Sequence, residues 1–316
     1  MRVLVTGVSG FIGSSLSEKL LDEGFQVIGV DSFFDYYPRK IKENNLYNLL
    51  KQPDFEFVES DILGIDWDRI ISQVDGVFHQ AALAGVRASW GQKFDQYVQN
   101  NILGTQRLLE ACKNRRVEKF IYASSSSVYG DTDELPINEN STTNPVSPYG
   151  VSKLAAEHLA SLYFKSYGVP AVSLRYFTVY GPRQRPDMAF HKFITAVING
   201  DKIEVYGTGE QTRDFTFIDD VVQANIQAFR NARAGEVYNI GGGSRIKLID
   251  TIRIIEEITG IEANLVYTEP QRGDAKHTFS DVTKAKADFD YSPQVDVKSG
   301  LEKHYEWLKK NLEIYE

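Results

Sequence analysis

The sequence has few of the residues that build disulfide frameworks and metal centres. It contains one cysteine, Cys112, and five histidines among 316 residues. A single thiol cannot form an internal disulfide, and scattered histidines lack the close spacing of metal-ligand sets. We therefore expect neither a disulfide framework nor a metal site. Cys112 lies in an apolar helical pattern, which predicts a core position for it.

Long apolar runs and basic runs are also missing. No stretch is long and apolar enough to span a bilayer, and the chain begins on a predicted strand, without a signal-peptide pattern. The formal net charge is −8, which disfavours a nucleic-acid partner. We therefore expect a cytoplasmic protein with no membrane or nucleic-acid partner, built as one large domain or two closely joined ones.

A strand–helix–strand unit opens the chain. Residues 2–6 form a short apolar strand, residues 11–23 an apolar-periodic helix that ends at Gly24, and residues 26–31 a second strand. Three glycines mark the turn before the helix: Gly7, Gly10 and Gly13. Such a turn between a strand and a helix is typical of a dinucleotide-binding site.

Each of these glycines has a physical purpose. Gly7 permits the tight turn, Gly10 lets the backbone approach a pyrophosphate, and Gly13 lets the helix pack closely on the strand. The helix begins at Phe11 and Ile12, where free N–H groups and the positive end of the helix dipole attract phosphates.

Asp31 ends the second strand and is followed by Ser32. An acidic residue at this position binds the hydroxyls of the adenosine ribose. Its carboxylate repels a 2′-phosphate, and the nearest following arginine is Arg39. The sequence therefore favours NAD over NADP.

A Tyr-Lys pair lies on a later helix. Ser147 suits the cap of that helix and Pro148 its first turn. Tyr149 and Lys153 are then four residues apart and lie on one face. A tyrosine has a pKa of about 10 and a general base works best near the operating pH. We expect the ammonium of Lys153 to lower the pKa of Tyr149.

Strands and helices alternate along the rest of the chain. Further strands are predicted at 55–59, 76–82, 119–124, 171–177, 236–241 and near 265, and further helices at 35–50, 100–113, 247–259 and 297–312, with one starting at 219–221. This pattern predicts an α/β fold: a Rossmann-type doubly wound parallel sheet with a smaller α/β substrate-binding lobe. We expect the NAD-binding domain at 1–180 and about 215–243, and the lobe at 181–214 and 244–316.

Several motifs resemble the extended short-chain dehydrogenase/reductase family, whose nucleotide-sugar members share the GxxGxxG spacing. Beside the glycine turn and the Tyr149–Lys153 pair, the motifs that carry the resemblance lie at 84–87, 100–105, 125–130, 178–190, 205–215 and 272–274. The resemblance implies further contacts with NAD: Asp61 and Ile62 at the adenine, Gln80, Ala81 and Ala82 beside the cofactor, and Tyr176 near the nicotinamide.

Two serines compete for one catalytic position. Ser125 occupies the place of the family's catalytic Ser/Thr, and Ser126 is a close alternative that the sequence does not exclude. A hydroxyl there would relay the proton of a sugar 4-hydroxyl to Tyr149. Related sugar dehydratases and decarboxylases carry an acid where this chain has Ser127. We therefore expect oxidation and re-reduction without loss of water or CO2.

The resemblance also implies a nucleotide-sugar pocket. Its expected members are Arg87, Ser126, Ser127, Thr178, Arg185, Arg213, Arg272 and Asp274. Arg87, Arg213 and Arg272 would bind the diphosphate, and Asp274 the uridine ribose. Arg185 would pair with a carboxylate or with phosphate, since a guanidinium suits either.

The implied activity is that of a UDP-glucuronate 4-epimerase, which makes UDP-galacturonate through a 4-keto intermediate and recycles NAD in place. A UDP-N-acetylglucosamine or UDP-glucose 4-epimerase would use the same cofactor chemistry. A UDP-glucuronate decarboxylase or a non-catalytic NAD-sensing protein are further alternatives. The resemblance also implies a homodimer through the helices at 100–113 and after Ser147.

Overall fold

The strands form one large sheet and two small ones in the computed structural model, which describes residues 1–269 and 275–315. In chain order they are β1 Arg2–Thr6, β2 Gln26–Asp31, β3 Phe55–Glu59, β4 Gly76–His79, β5 Lys119–Ser125, β6 Ala171–Tyr176, β7 Thr178–Tyr180, β8 Lys202–Tyr206, β9 Thr212–Phe217, β10 Val237–Ile240, β11 Arg245–Lys247 and β12 Asn264–Thr268. The predicted strands are all present, with ends shifted by a few residues at most.

Seven of these strands form a parallel sheet in the order β10-β6-β5-β4-β1-β2-β3. The strand order reverses between β1 and β4, as in a doubly wound sheet. A crevice lies beyond the carboxyl ends of these two strands. The strands read as near-continuous apolar runs because helices cover both faces of the sheet. The predicted Rossmann-type fold is confirmed.

The helices pack on both faces of this sheet and on the smaller sheets. They are α1 Phe11–Asp22, α2 Arg39–Leu46, α3 Trp67–Ile71, α4 Phe94–Tyr97, α5 Gly104–Cys112, α6 Pro148–Tyr167, α7 Ala189–Asn199, α8 Ile218–Asn231, α9 Leu248–Thr259, α10 Thr283–Phe289 and α11 Val297–Tyr315. The helix α8 packs on the N-terminal part of the chain: the ring of Phe229 lies 5.1 Å from Phe78 and 6.2 Å from Phe25. Cys112 is buried, as predicted.

Two small sheets build the opposite wall of the crevice. One has the order β11-β9-β7, and β12 pairs with β8 in the other. Aromatic side chains fill the space behind them, with the rings of Phe190 and Phe215 4.3 Å apart and Tyr180 packed edge-on against Phe190. This packing holds the ends of β7 and β9 towards the crevice.

Two predicted helices have different bounds. The helix expected to open at residue 100 starts instead at Phe94, and residues Val98–Leu103 form a π-helical segment between α4 and α5. The wider turn lets Asn101 reach the backbone of Leu83, with bonds of 2.7 and 2.9 Å. Such segments are frequent at functional sites.

The helix expected at 35–50 is shorter. It spans Arg39–Leu46, because Pro38 restricts the residues before it, and a 3₁₀ turn follows at Leu49–Lys51. Within 1–269 and 275–315, no helix combines the length and the apolarity needed to cross a membrane.

Candidate active site

The glycine turn has the geometry that the sequence predicted. Gly7 has φ +69°, a left-handed conformation that favours glycine. A Cβ on Gly13 would lie 2.2 Å from the carbonyl oxygen of Gly7. The first turn of α1, starting at Phe11 and Ile12, therefore lies against the end of β1 only because position 13 has no side chain.

The carboxylate of Asp31 is held in place by the backbone. Its Oδ2 accepts a hydrogen bond from the N–H of Ser9 (3.1 Å), and its Oδ1 accepts one from Phe33 (2.9 Å). Arg39 is paired with Glu43 and Glu59. The arginine nearest to Asp31 in sequence therefore has carboxylate partners, which supports the preference for NAD.

A lysine beside Asp31 escaped the sequence analysis. Lys42 lies on α2, 6% exposed, and its ammonium donates to the carbonyl of Phe34. Burial lowers the pKa of Lys42, and the charge of Asp31 acts in the opposite direction.

Ile62 lines the crevice, as does Ser32. Asp61, the other predicted adenine contact, does not line the crevice. Its carboxylate accepts a hydrogen bond from the N–H of Leu63 (2.7 Å).

A polar cluster closes the middle of the crevice. The Tyr176 hydroxyl donates to Oδ1 of Asn225 (2.8 Å), and Gln80 donates to the same oxygen (2.9 Å). Ala81 and Ala82 follow, and both line the crevice. The structure thus brings these predicted cofactor contacts together. Asn225, on α8, was missed because nothing nearby in sequence marks it.

The residues predicted to be catalytic line the same crevice. The Ser147 side chain accepts from the N–H of Gly150 (3.1 Å) and caps α6. Tyr149 and Lys153, one turn apart, both line the crevice. The Ser125 side chain partly offsets the effect of burial on the pKa of the Tyr149 phenol. Of the two candidate serines, Ser125 is therefore the one that acts on the tyrosine.

The pKa of Tyr149 is not lowered as the sequence predicted. Burial raises the pKa of Tyr149, and the groups that partly offset this are the Ser125 hydroxyl and the Arg185 charge. Burial also lowers the pKa of Lys153 to about 7, against the opposing charge of Glu157. A lysine that is only partly charged near neutral pH exerts a weaker field on its neighbour.

The predicted sugar-pocket residues within the described ranges all line the same crevice: Arg87, Ser126, Ser127, Thr178, Arg185 and Arg213. Its volume is about 1290 Å³. The guanidinium of Arg87 stacks on the ring of Tyr206, 4.3 Å from its centre, and Arg213 donates to the carbonyl of Lys276 (3.0 Å). Arg272 and Asp274 lie outside the described residues.

Arg185 is already engaged within the protein. Its Nε and Nη2 donate to both carboxylate oxygens of Asp187, at 2.9 and 3.0 Å, and the Tyr36 hydroxyl donates to the same carboxylate (3.3 Å). The sequence predicted a ligand carboxylate or phosphate as the partner of Arg185. It did not predict Asp187 or Tyr36 as neighbours, although Asp187 follows Arg185 by only two residues.

These side chains fit a dinucleotide such as NAD. The turn at Gly7 approaches Ala81 so closely that a Cβ would lie 2.8 Å from its backbone, so this turn accepts no side chain. Asp31 presents a fixed carboxylate at the end of β2. A Tyr–Lys pair lies in the same crevice, at the switch point of the sheet. Fold and site together define an enzyme of the Rossmann-type dinucleotide-dependent class.

Comparison with known proteins places the chain within that class. The model of the NAD dependent epimerase/dehydratase family matches residues 3–241. The chain belongs to this family, and the resemblance found in the sequence is confirmed.

The individual relatives are similar along their whole length. The chain is 43% identical to an uncharacterized UDP-glucose epimerase of Bacillus subtilis, with 98% of each covered. It is 38% identical to a UDP-glucuronate 4-epimerase of Thermodesulfobacterium geofontis, covering 98% of this chain and 97% of the relative. The crystal structure of UDP-glucuronic acid 4-epimerase from Bacillus cereus, in complex with UDP-glucuronic acid and NAD, superimposes with a TM-score of 0.96 at 43% identity, over 98% and 99% of the two chains.

Proposed function

We propose that the protein is a UDP-glucuronate 4-epimerase that forms UDP-galacturonate with NAD as a recycled cofactor. The observation that carries this proposal is that Tyr149, Lys153 and Ser125 line one crevice, which also presents Ser126, Ser127 and Thr178. The similarity to two UDP-glucuronate 4-epimerases supports the choice of sugar.

The side chains divide the chemistry between them. Tyr149, as phenolate, takes the proton of the sugar 4-hydroxyl, and Ser125 bridges the two oxygens. When bound, NAD accepts the C4 hydride and returns it, and its positive nicotinamide favours the phenolate. Lys153 holds the nicotinamide ribose. The 4-keto sugar rotates between the two hydride transfers, so that the hydride returns to the opposite face of C4. Tyr149 then returns the proton to the C4 oxygen.

The uronate carboxylate creates a hazard in this reaction. Once C4 is a ketone, the carboxylate on C5 is β to it, and a β-keto acid loses CO2 when the breaking bond aligns with the carbonyl π system. We propose that Ser126, Ser127 and Thr178 hold the carboxylate out of that alignment. The absence of an acid at position 127 fits a reaction that retains both water and CO2.

A neutral UDP-sugar is the second candidate. The Bacillus subtilis relative carries a UDP-glucose epimerase name. In addition, the Arg185 guanidinium is already paired with Asp187. A pocket whose arginine has an internal carboxylate partner has less positive charge to offer a uronate than the sequence alone suggests.

Separate incubations with UDP-glucuronate, UDP-glucose and UDP-N-acetylglucosamine test the proposal. We expect UDP-galacturonate from UDP-glucuronate, identified by chromatography and NMR, and little turnover of the neutral sugars. The Tyr149→Phe variant is the control, since it keeps the ring and removes the base. Turnover of a neutral sugar alone would refute the choice of substrate and leave the cofactor chemistry intact.

We further propose that the protein is a homodimer through α5 and α6. In support, α6 exposes three large apolar side chains, with Val151 47%, Leu162 53% and Tyr167 55% exposed. Apolar groups clustered on a surface helix are typical of an interface. Sedimentation equilibrium of the wild type and of Leu162→Glu is the test, with a dimer and a monomer expected.

The domain division at 1–180 with about 215–243, against 181–214 with 244–316, is also a proposal. It is supported by β10, which adds to the central sheet beside β6, while β8, β11 and β12 pair outside that sheet. A cytoplasmic location stays a prediction, for which cell fractionation is the test.

A further inference from the structure

A buried ion pair lies directly behind the catalytic residues. Arg175 on β6 and Glu157 on α6 make two hydrogen bonds, of 2.6 and 3.0 Å, and their side chains are 6% and 4% exposed. Removing two charges from water is costly, so a buried ion pair is weak evidence of a contribution to stability. Its position suggests a different purpose.

The ion pair holds both ends of the serine loop, residues 125–128. Before the loop, the Ser124 hydroxyl donates to Oε2 of Glu157 (2.6 Å). After it, Nη1 of Arg175 donates to the Tyr129 hydroxyl (2.7 Å), which donates in turn to Asn239 (2.7 Å). The loop that presents Ser125 to Tyr149 therefore begins and ends on this one pair of charges.

Glu157 also faces the catalytic lysine. It follows Lys153 by four residues on α6, so that both side chains leave the same face of the helix. The charge of Glu157 opposes the burial that lowers the pKa of Lys153 to about 7.

The other titratable neighbours of Lys153 do not supply a negative charge. The ring of Tyr122 on β5 lies 4.4 Å from the Lys153 ammonium, and burial raises the pKa of this phenol well above its usual value. Burial lowers the pKa of His79 on β4 to about 3, so that it is neutral. Tyr149 on α6 is a phenol whose pKa burial raises, and Arg175 on β6 is positive.

We propose that Glu157 is a positioning residue of the epimerase: its carboxylate favours the charged form of Lys153 and, with Arg175, fixes the loop that carries Ser125. A charged Lys153 favours the phenolate of Tyr149, and the fixed loop keeps Ser125 on the side of Tyr149. The inference rests on the proposed function, because it assigns Glu157 a role through the residues that carry out that reaction.

The test compares pH profiles of kcat/KM for the wild type and three variants. The double variant Glu157→Gln/Arg175→Met removes both charges, a type of replacement that buried ion pairs tolerate. We expect its alkaline limb to move to lower pH by about one unit, since Lys153 loses the carboxylate that favours its charged form. Ser124→Ala is the matched control: it removes one hydrogen bond to Glu157 and keeps the charge, so its alkaline limb should match the wild type.

The single variant Glu157→Gln leaves Arg175 without its partner charge and should move the limb further than the double variant. Melting temperature and bound NAD, measured by absorbance after denaturation, verify that each variant is folded and loaded. A double variant that is folded and keeps the wild-type profile refutes the proposal. If neither Glu157 variant folds, the pair serves folding alone, which refutes it as well.

This outcome is separable from the substrate question. If the wild type turns over a neutral UDP-sugar and not UDP-glucuronate, the proposed function fails, and the same profiles are measured with the active sugar. If the wild type makes UDP-galacturonate and the limb does not move, the proposed function stands and the role of Glu157 fails.

Discussion

At the scale of single residues, the structure separates two serines that the sequence left as alternatives. Ser125 accepts a hydrogen bond from the N–H of Ser127 (3.2 Å), and its side chain partly offsets the effect of burial on the pKa of Tyr149. Its hydroxyl is therefore held by the loop backbone on the side of Tyr149. Ser126 lines the crevice in the next position.

Removal of the Ser125 hydroxyl should slow the chemical step. We expect Ser125→Ala to lower kcat by about 10² to 10³, because proton transfer to Tyr149 loses its bridge. Ser126→Ala is the matched comparison. It should lower kcat much less and should act mainly on KM. Steady-state kinetics with UDP-glucuronate check both, and equal losses of kcat would contradict the assignment.

A substitution at Thr178 tests whether this residue prevents the 4-keto intermediate from losing CO2. The Thr178→Ala variant should release UDP-pentose products beside the epimer, because the carboxylate then reaches the alignment in which CO2 leaves. Mass spectrometry of the products is the measurement. Thr195→Ala, at another threonine of the crevice, should give the epimer alone, and a Thr178→Ala enzyme that did the same would count against this role.

At the scale of elements, the tight packing of α1 against the end of β1 depends on a missing side chain. The Cβ of any other residue at position 13 would overlap the carbonyl oxygen of Gly7, at 2.2 Å. The helix would have to shift outward, and its N-terminus would leave the position that suits a phosphate.

We therefore expect Gly13→Ala to purify with little bound NAD and to unfold at lower temperature. The control Ser15→Ala lies on the same helix and loses only a bond to the Phe11 carbonyl (2.9 Å). It should keep its NAD. Cofactor content by absorbance and thermal unfolding measure both effects, and a loaded Gly13→Ala enzyme would show that the helix can move without cost to binding.

At the scale of the whole molecule, three buried histidines link stability to pH. Burial lowers the pKa of His79 to about 3, of His191 to about 4 and of His304 to about 3. An unfolded histidine has a pKa of about 6.5. The unfolded chain therefore binds more protons below that pH, and stability is lost as pH falls from about 6.5 towards the folded values.

As the pH falls from 7 to 5, each of these histidines should lower the free energy of unfolding by about 2 kcal/mol. Urea unfolding across this range measures the slope. Within the part of the chain that the structure describes, neither ring nitrogen of His304 has a hydrogen-bond partner, so His304→Phe should reduce the slope. His158→Gln, at an exposed position, should leave it unchanged; an unaltered slope in His304→Phe would disprove the assignment.

Local sequence was enough for most of the elements and for the outline of the site. The strand–turn–helix at Gly7–Gly13, the cap at Ser147 and the Tyr149–Lys153 spacing all depend on residues within one or two turns of each other. Such interactions are encoded by neighbours in the chain, and the predicted bounds of β1, β2 and β3 agree with the structure for that reason.

Tertiary structure decided the contacts between distant segments. Asn225 reaches Gln80 across 145 residues, Tyr36 reaches Asp187 across 151, and Arg175 reaches Tyr129 across 46. No local pattern marks these partners. The pKa of Tyr149 was predicted with the wrong sign because burial, which the sequence does not display, outweighs the neighbouring charge. Residue type and spacing determined which groups the site contains, whereas the packing of separate elements determined which of them touch and how they are charged.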